Sequence, residues 1–128
     1  MQLANSQLGQ APMITVDGEC DHANTEALRT AVAEALAADT DAVLIDLEKC
    51  TYIDSGGISI LLGAVRRMRG RGWLGVLAPN ENIRRLFKIV GLTVDPGFRI
   101  FADRDEASQA LETSRAPEAS RALKSPQG

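Results

Sequence analysis

The chain has 128 residues, a size that fits one domain with one core. Its composition, 45% hydrophobic and 24% charged, is that of an ordinary soluble globular protein, and a net charge of −3 with a pI near 5.1 argues against nucleic acid as a direct partner. No apolar run approaches the roughly 20 residues of a membrane span, and Met1-Gln2-Leu3-Ala4-Asn5 lacks the basic start and apolar stretch of a secretory signal, so a cytoplasmic protein without membrane insertion is expected.

In chain order, Gln2-Leu3-Ala4 reads as a short edge strand. Pro12 to Asp17 alternates weakly and reads as a second strand, with proline at its entry where no ladder bond is needed. Gly18 to Ala23 reads as a loop. Asn24 is the expected N-cap of a helix whose apolar face is Leu28, Val32, Ala35 and Leu36. Ala42 to Leu47 is continuously apolar up to Asp46, as in a strand covered on both sides.

The stretch Tyr52-Ile53-Asp54-Ser55-Gly56-Gly57-Ile58 reads as a strand-to-helix turn, with Ser55 where the N-cap belongs. From Gly57 the apolar residues Ile58, Leu61, Leu62, Val65 and Met68 recur at helical spacing. Arg66, Arg67, Arg69 and Arg71 crowd its C-terminal end, where positive charge suits the helix dipole; a solvated face is the simplest reading of them. Trp73 to Ala78 is the next strand.

Asn80 caps a further helix with an apolar stripe of Ile83, Leu86, Phe87 and Val90, stopped by Gly91. Phe98 to Phe101 is a short strand. Asp103 and Glu106 resemble a capping box for a last helix through Ala107, Ala110 and Leu111. Residues 1–112 make the expected domain, and 113–128, with no core face, the expected disordered tail.

Alternating strands and helices predict an α/β domain with a mixed central sheet of four to five strands and about four helices. If the strands are parallel, the loops after Asp17, Leu47 and Ala78 gather at one edge, where open α/β sheets bind partners. Little else carries chemistry. His22 is the sole histidine, so no metal site or cofactor is expected. A Ser-His-Asp hydrolase would need Ser55, His22 and an acid to converge, and the turn is not a G-x-S-x-G elbow. On spacing alone, Ser55 is first a cap, one whose loss would cost about 1 kcal/mol.

Three motifs in order add a family resemblance. Gly18-Glu19-Cys20-Asp21-His22, then Val43-Leu44-Ile45-Asp46-Leu47 leading to the Asp54-Ser55-Gly56-Gly57-Ile58 turn, then Ile83 to Leu92 with its Leu86-Phe87 and Gly91-Leu92, resemble the anti-sigma factor antagonists of the STAS family. The likeness runs from about residue 12 to about residue 112. It implies a STAS-like single domain that is not an enzyme. It implies an anti-anti-sigma factor that binds an anti-sigma factor with serine kinase activity and releases the sigma factor. Ser55 is then the phosphorylated residue, phosphorylation blocks the complex, and a PP2C-type phosphatase reverses it.

The partner surface implied is Asp21, His22, Asp54, Gly56, Gly57, Ile58 and Ser59, with the two glycines leaving the backbone open to a partner. Gly56 stands where the family usually has Ser or Thr, and Ser59 where Gly is common. Cys20 replaces the usual Leu or Ile. Core filling is the simplest account of Cys20 and Cys50; a redox pair is the alternative, and needs Cα atoms within about 7 Å. A second functional reading keeps the fold but makes the chain a constitutive soluble subunit of a membrane transport assembly, such as a lipid transporter with an ATPase partner.

Overall fold

The computed structural model describes residues 1–113. Six strands form one mixed sheet in the order β1-β2-β3-β5-β6, with β4 paired to β2 off that path. The strands are β1 Gln2–Leu8, β2 Ala11–Cys20, β3 Ala42–Asp46, β4 Cys50–Ile53, β5 Trp73–Leu77 and β6 Phe98–Phe101. The helices are α1 Thr25–Ala37, α2 Ser55–Met68, α3 Glu81–Ile89 and α4 over residues 104–113; a 3-10 turn spans Leu92–Val94.

Every residue of β3 and β5 is buried, because helices cover the sheet on both sides. Alternation along each strand sorts the side chains into two layers. Ile14, Val16, Val43, Ile45, Leu74 and Val76 face α1, α2 and α3 in the larger cluster. Met13, Ala42, Leu44, Trp73, Leu77 and Phe101 face α4 through Ala107.

β2, β3, β5 and β6 run parallel, and β1 closes the sheet as an antiparallel edge. The loops after β2, β3 and β5 therefore share one edge, as expected from the sequence. The strand count is six, one more than expected, and the extra strand matters for the site. β2 outlasts β3: Met13–Thr15 pair with Leu44–Asp46, then Gly18–Cys20 pair with the β4 segment ending at Ile53. β3 and β4 thus act as one strand broken at Leu47–Lys49. At the junction Gly18 N donates to Lys49 O at 3.0 Å, and the register slips between Gly18 and Glu19. Gly18 takes φ +104°, a value that favours glycine.

Two sequence expectations are corrected here. Gly18 to Cys20 belong to a strand, not a loop, because β4 supplies them with ladder partners. β1 runs to Leu8 rather than stopping near Ala4, since β2 offers it partners along its whole length. α4 continues to residue 113, the last described residue, and the remainder of the expected tail, 114–128, lies outside the described residues. Asn80 and Asp103 cap as expected, accepting from Ile83 N at 2.9 Å and Glu106 N at 2.8 Å. Gly91 ends α3 in the left-handed region at φ +84°.

Candidate functional site

β4 delivers the chain into α2 at the edge where the parallel strands end. The N-cap of α2 is Asp54, not Ser55: its carboxylate accepts from Gly57 N at 3.0 Å, and its backbone is extended. Ser55 is the first helical residue, and it is exposed. Aspartate and serine are both strong caps, and sequence spacing cannot choose between neighbours. The consequence for Ser55 is direct: its hydroxyl has no capping bond to hold, so it stands free at the surface beside the N–H groups that open α2.

The turn is tied to β2. Asp54 N donates to Cys20 O at 3.0 Å. The loop after Cys20 is locked by its own side chains: Asp21 Oδ1 accepts from Ala23 N, Asn24 Oδ1 accepts from Asp21 N, and Thr25 Oγ1 donates to Asp21 O at 2.7 Å. Asn24 therefore sits at the N-cap position of α1 without capping it; its side chain is spent on the loop instead. The start of α1 packs beside the start of α2, since a Cβ on Gly56 would lie 3.4 Å from Thr25 Oγ1. Two helix N-termini thus flank one surface.

Of the residues expected at a partner surface, the structure gathers Asp21, His22, Asp54, Ser55, Gly56 and Ser59 at this edge; His22, Ser55 and Ser59 are exposed, and Asp21, Asp54 and Gly56 half-buried. Gly57 and Ile58 turn inward, Ile58 keeping only 5% of its surface exposed. Gly57 is needed from beneath, not from outside: a Cβ there would meet Ile53 Cγ2 at 2.8 Å and Cys20 Sγ at 3.1 Å. Its lack of a side chain lets α2 sit down on β2 and β4; it does not open the backbone to a partner.

Sequence reasoning missed Tyr52. It is 49% exposed beside the turn, and Asn80 Nδ2 reaches across from α3 to the carbonyls of Cys50 and Thr51. Along β4 the end residues Cys50 and Ile53 are buried and Thr51 and Tyr52 exposed, a pattern without a strand's period of two that the sequence could announce.

Cys20 and Cys50 are free thiols, both buried. Burial pushes the Cys20 thiol up to about 11, helped by Cys50 and by the carboxylates of Asp54 and Asp21. Burial also raises Cys50. Protonated, enclosed thiols are weak nucleophiles, which favours packing over redox chemistry. A cavity of about 470 Å³ lies at the opposite end of the sheet, among Gly9, Asp39, Asp41, Arg71 and Glu112, and none of the turn's residues line it.

Comparison with known proteins agrees with this geometry. A family model described as "Mlab, STAS domain" matches residues 3–99. The anti-sigma-F factor antagonist RsfB of Mycobacterium tuberculosis is 28% identical over 103 residues, 80% of this chain and 83% of that one. An anti-sigma F factor antagonist of Lysinibacillus sphaericus is 30% identical over 82 residues, 62% of this chain and 70% of that one. In fold, the chain is similar to an anti-sigma factor antagonist from Mycobacterium paratuberculosis, with a TM-score of 0.76 and 24% identity over 87% of this chain and 93% of that one. It is also similar to the Bacillus cell fate determinant SpoIIAA in its phosphorylated form, with a TM-score of 0.69 and 22% identity over 86% and 99% of the two chains. The chain belongs to the STAS domain family, with the anti-sigma factor antagonists as its relatives.

Proposed function

We propose that this protein is a cytoplasmic anti-anti-sigma factor, a binding partner rather than a catalyst, switched at Ser55. Unphosphorylated, it engages an anti-sigma factor that is also a serine kinase, and the sigma factor is released. The kinase transfers the γ-phosphoryl group of ATP to Ser55 Oγ, which loses its proton, and ADP departs. A PP2C-type phosphatase returns the hydroxyl. The observation that carries the reading is the exposed Ser55 side chain at the first position of α2, relieved of capping by Asp54.

The electrostatics support a switch that spares the fold. A phosphate adds about −1.5 to −2 charge at neutral pH. The N-terminus of α2 tolerates that charge. A docked partner does not: the phosphate would stand beside Asp54, near Asp21, in the middle of the contact. His22, Ser59 and the half-buried Asp21, Asp54 and Gly56 complete that surface, while Gly57 and Ile58 shape it from below.

The test is incubation with the cognate kinase and ATP, followed by site mapping by mass spectrometry. Phosphate on Ser55 is expected, and its absence there defeats the switch. In a binding assay, Ser55→Asp weakens the complex by about tenfold or more, while Ser55→Ala still binds. Equal binding by Ser55→Asp would overturn the charge argument.

A further inference from the structure

The charges of this chain are divided. Residues 1–54 carry ten acidic and two basic residues, whereas residues 55–102 carry eight basic residues and only Glu81 and Asp95 as acids. Of those eight, Arg69 alone has an ion-pair partner among the described residues: it meets Asp95 at 3.1 Å. That bridge draws the end of α2 against the 3-10 turn Leu92–Val94. Arg66 and Arg67 stand in the last turn of α2, and Arg84, Arg85 and Lys88 along α3, all exposed.

At the same place the apolar side chains point outward. Ile89 is 71% exposed, Val90 40% and Val94 84%. They occupy the end of α3 and the 3-10 turn that follows, with Arg85 one helical turn before Ile89 and Lys88 adjacent to it. The rest of the core is closed, so three aliphatic side chains left in water within one segment form a patch rather than a scatter.

We propose that this end of the molecule docks on an anionic phospholipid surface, with Ile89, Val90 and Val94 as shallow anchors and the surrounding cations on the headgroups. Cations beside protruding aliphatic tips match the two-part chemistry of a bilayer surface. Nucleic acid would use the cations but has nothing to offer the aliphatics, and it favours aromatic platforms; Tyr52, the exposed aromatic, lies at the other edge. An acidic protein segment would need a groove to enclose a side chain as open as Val94, whereas a lipid interface yields around it. No helix among the described residues is long and apolar enough to cross a membrane, so contact is peripheral.

With a rise of about 1.5 Å per residue, the length of α2 sets the patch roughly 20 Å from Ser55. The Ser55 edge is left open to solvent.

The experiment is co-sedimentation of the full chain with phosphatidylglycerol–phosphatidylcholine vesicles and with phosphatidylcholine alone. Binding to the anionic vesicles only is expected, lost on raising salt. The double variant Arg85→Glu, Lys88→Glu loses binding at least tenfold, Val94→Ser weakens it several-fold at low salt, and Ser55→Asp leaves it unchanged. Thermal melts confirm that each variant is folded. No binding to anionic vesicles at low salt overturns the proposal, as does binding indifferent to the charge reversal. Undiminished binding by Val94→Ser, or equal competition by a soluble acidic polypeptide, also overturns it and assigns the patch to an acidic protein partner.

Discussion

At the scale of single residues, the turn separates two roles that its sequence places side by side. Asp54 holds the helix; Ser55, the first helical residue, holds no cap bond. Asp54→Ala should therefore lose about 1 kcal/mol of stability, while Ser55→Ala, with no cap bond to remove, stays within about 0.5 kcal/mol of the parent. Urea melts of the two variants check this, and the reverse order would return the cap to Ser55. Below the turn, Cys20 adds a pH dependence. Its thiol is raised in the folded state from the ordinary 9.0 to about 11. As pH rises past about 9, the unfolded chain releases this proton first, so stability falls between about pH 9 and 11 and is fully present below. The alkaline decline should be shallower in Cys20→Ala, read as the difference between urea melts across that window. A constant difference would show that this thiol does not titrate there.

At the scale of elements, α2 contains two glycines with opposite demands. A Cβ on Gly57 would stand 2.8 Å from Ile53 Cγ2, closer than real Cβ atoms come, and a tight 3.1 Å from Cys20 Sγ, whereas Gly63 has nothing within 4 Å of where its Cβ would stand. Gly57→Ala should cost about 1–3 kcal/mol by forcing α2 off β4. Gly63→Ala should add about 0.5–1 kcal/mol by removing a mid-helix glycine. Opposite shifts in Tm are the signature, and equal shifts would refute the packing account. The sequence made α2 legible because Ile58, Leu61, Val65 and Met68 repeat at its period over about three turns. It made β3 and β5 legible because both are unbroken apolar runs. It hid β4 for a physical reason. Cys50-Thr51-Tyr52-Ile53 is too short to declare a period, and its partner is the far half of β2 beyond Gly18, a residue that reads as a loop. The Ser55 surface was found through its motif, but Tyr52 and the inward turn of Gly57 and Ile58 became visible only through that pairing.

At the scale of the whole molecule, the break between β3 and β4 makes the site, and one carboxylate braces it. Asp46 ends β3 facing the α4 layer, 6% exposed among apolar neighbours. It accepts from Glu48 N at 3.0 Å, which fixes the step toward β4, and from Arg104 Nη2 at 3.3 Å, which fixes the start of α4. The two layers of the fold meet in that side chain. Arg104 is 59% exposed, so the ion pair itself is worth under about 1 kcal/mol. The turn bond is less exposed to solvent, and losing its acceptor costs about 1–3 kcal/mol. Asp46→Asn keeps an acceptor and drops only the charge, so it should fall near the smaller figure. Asp46→Ala removes both bonds and should fall in the larger range. Hydrogen exchange distinguishes a local cost from a structural one. If Asp46 braces the site, Asp46→Ala speeds exchange in β4 and the first turn of α2 as well as in α4, because Gly18 and Lys49 hold β4 only through backbone pairing to β2. Faster exchange confined to α4 would mean that the break is held without Asp46, and that the Ser55 edge owes nothing to the layer on the far side of the sheet.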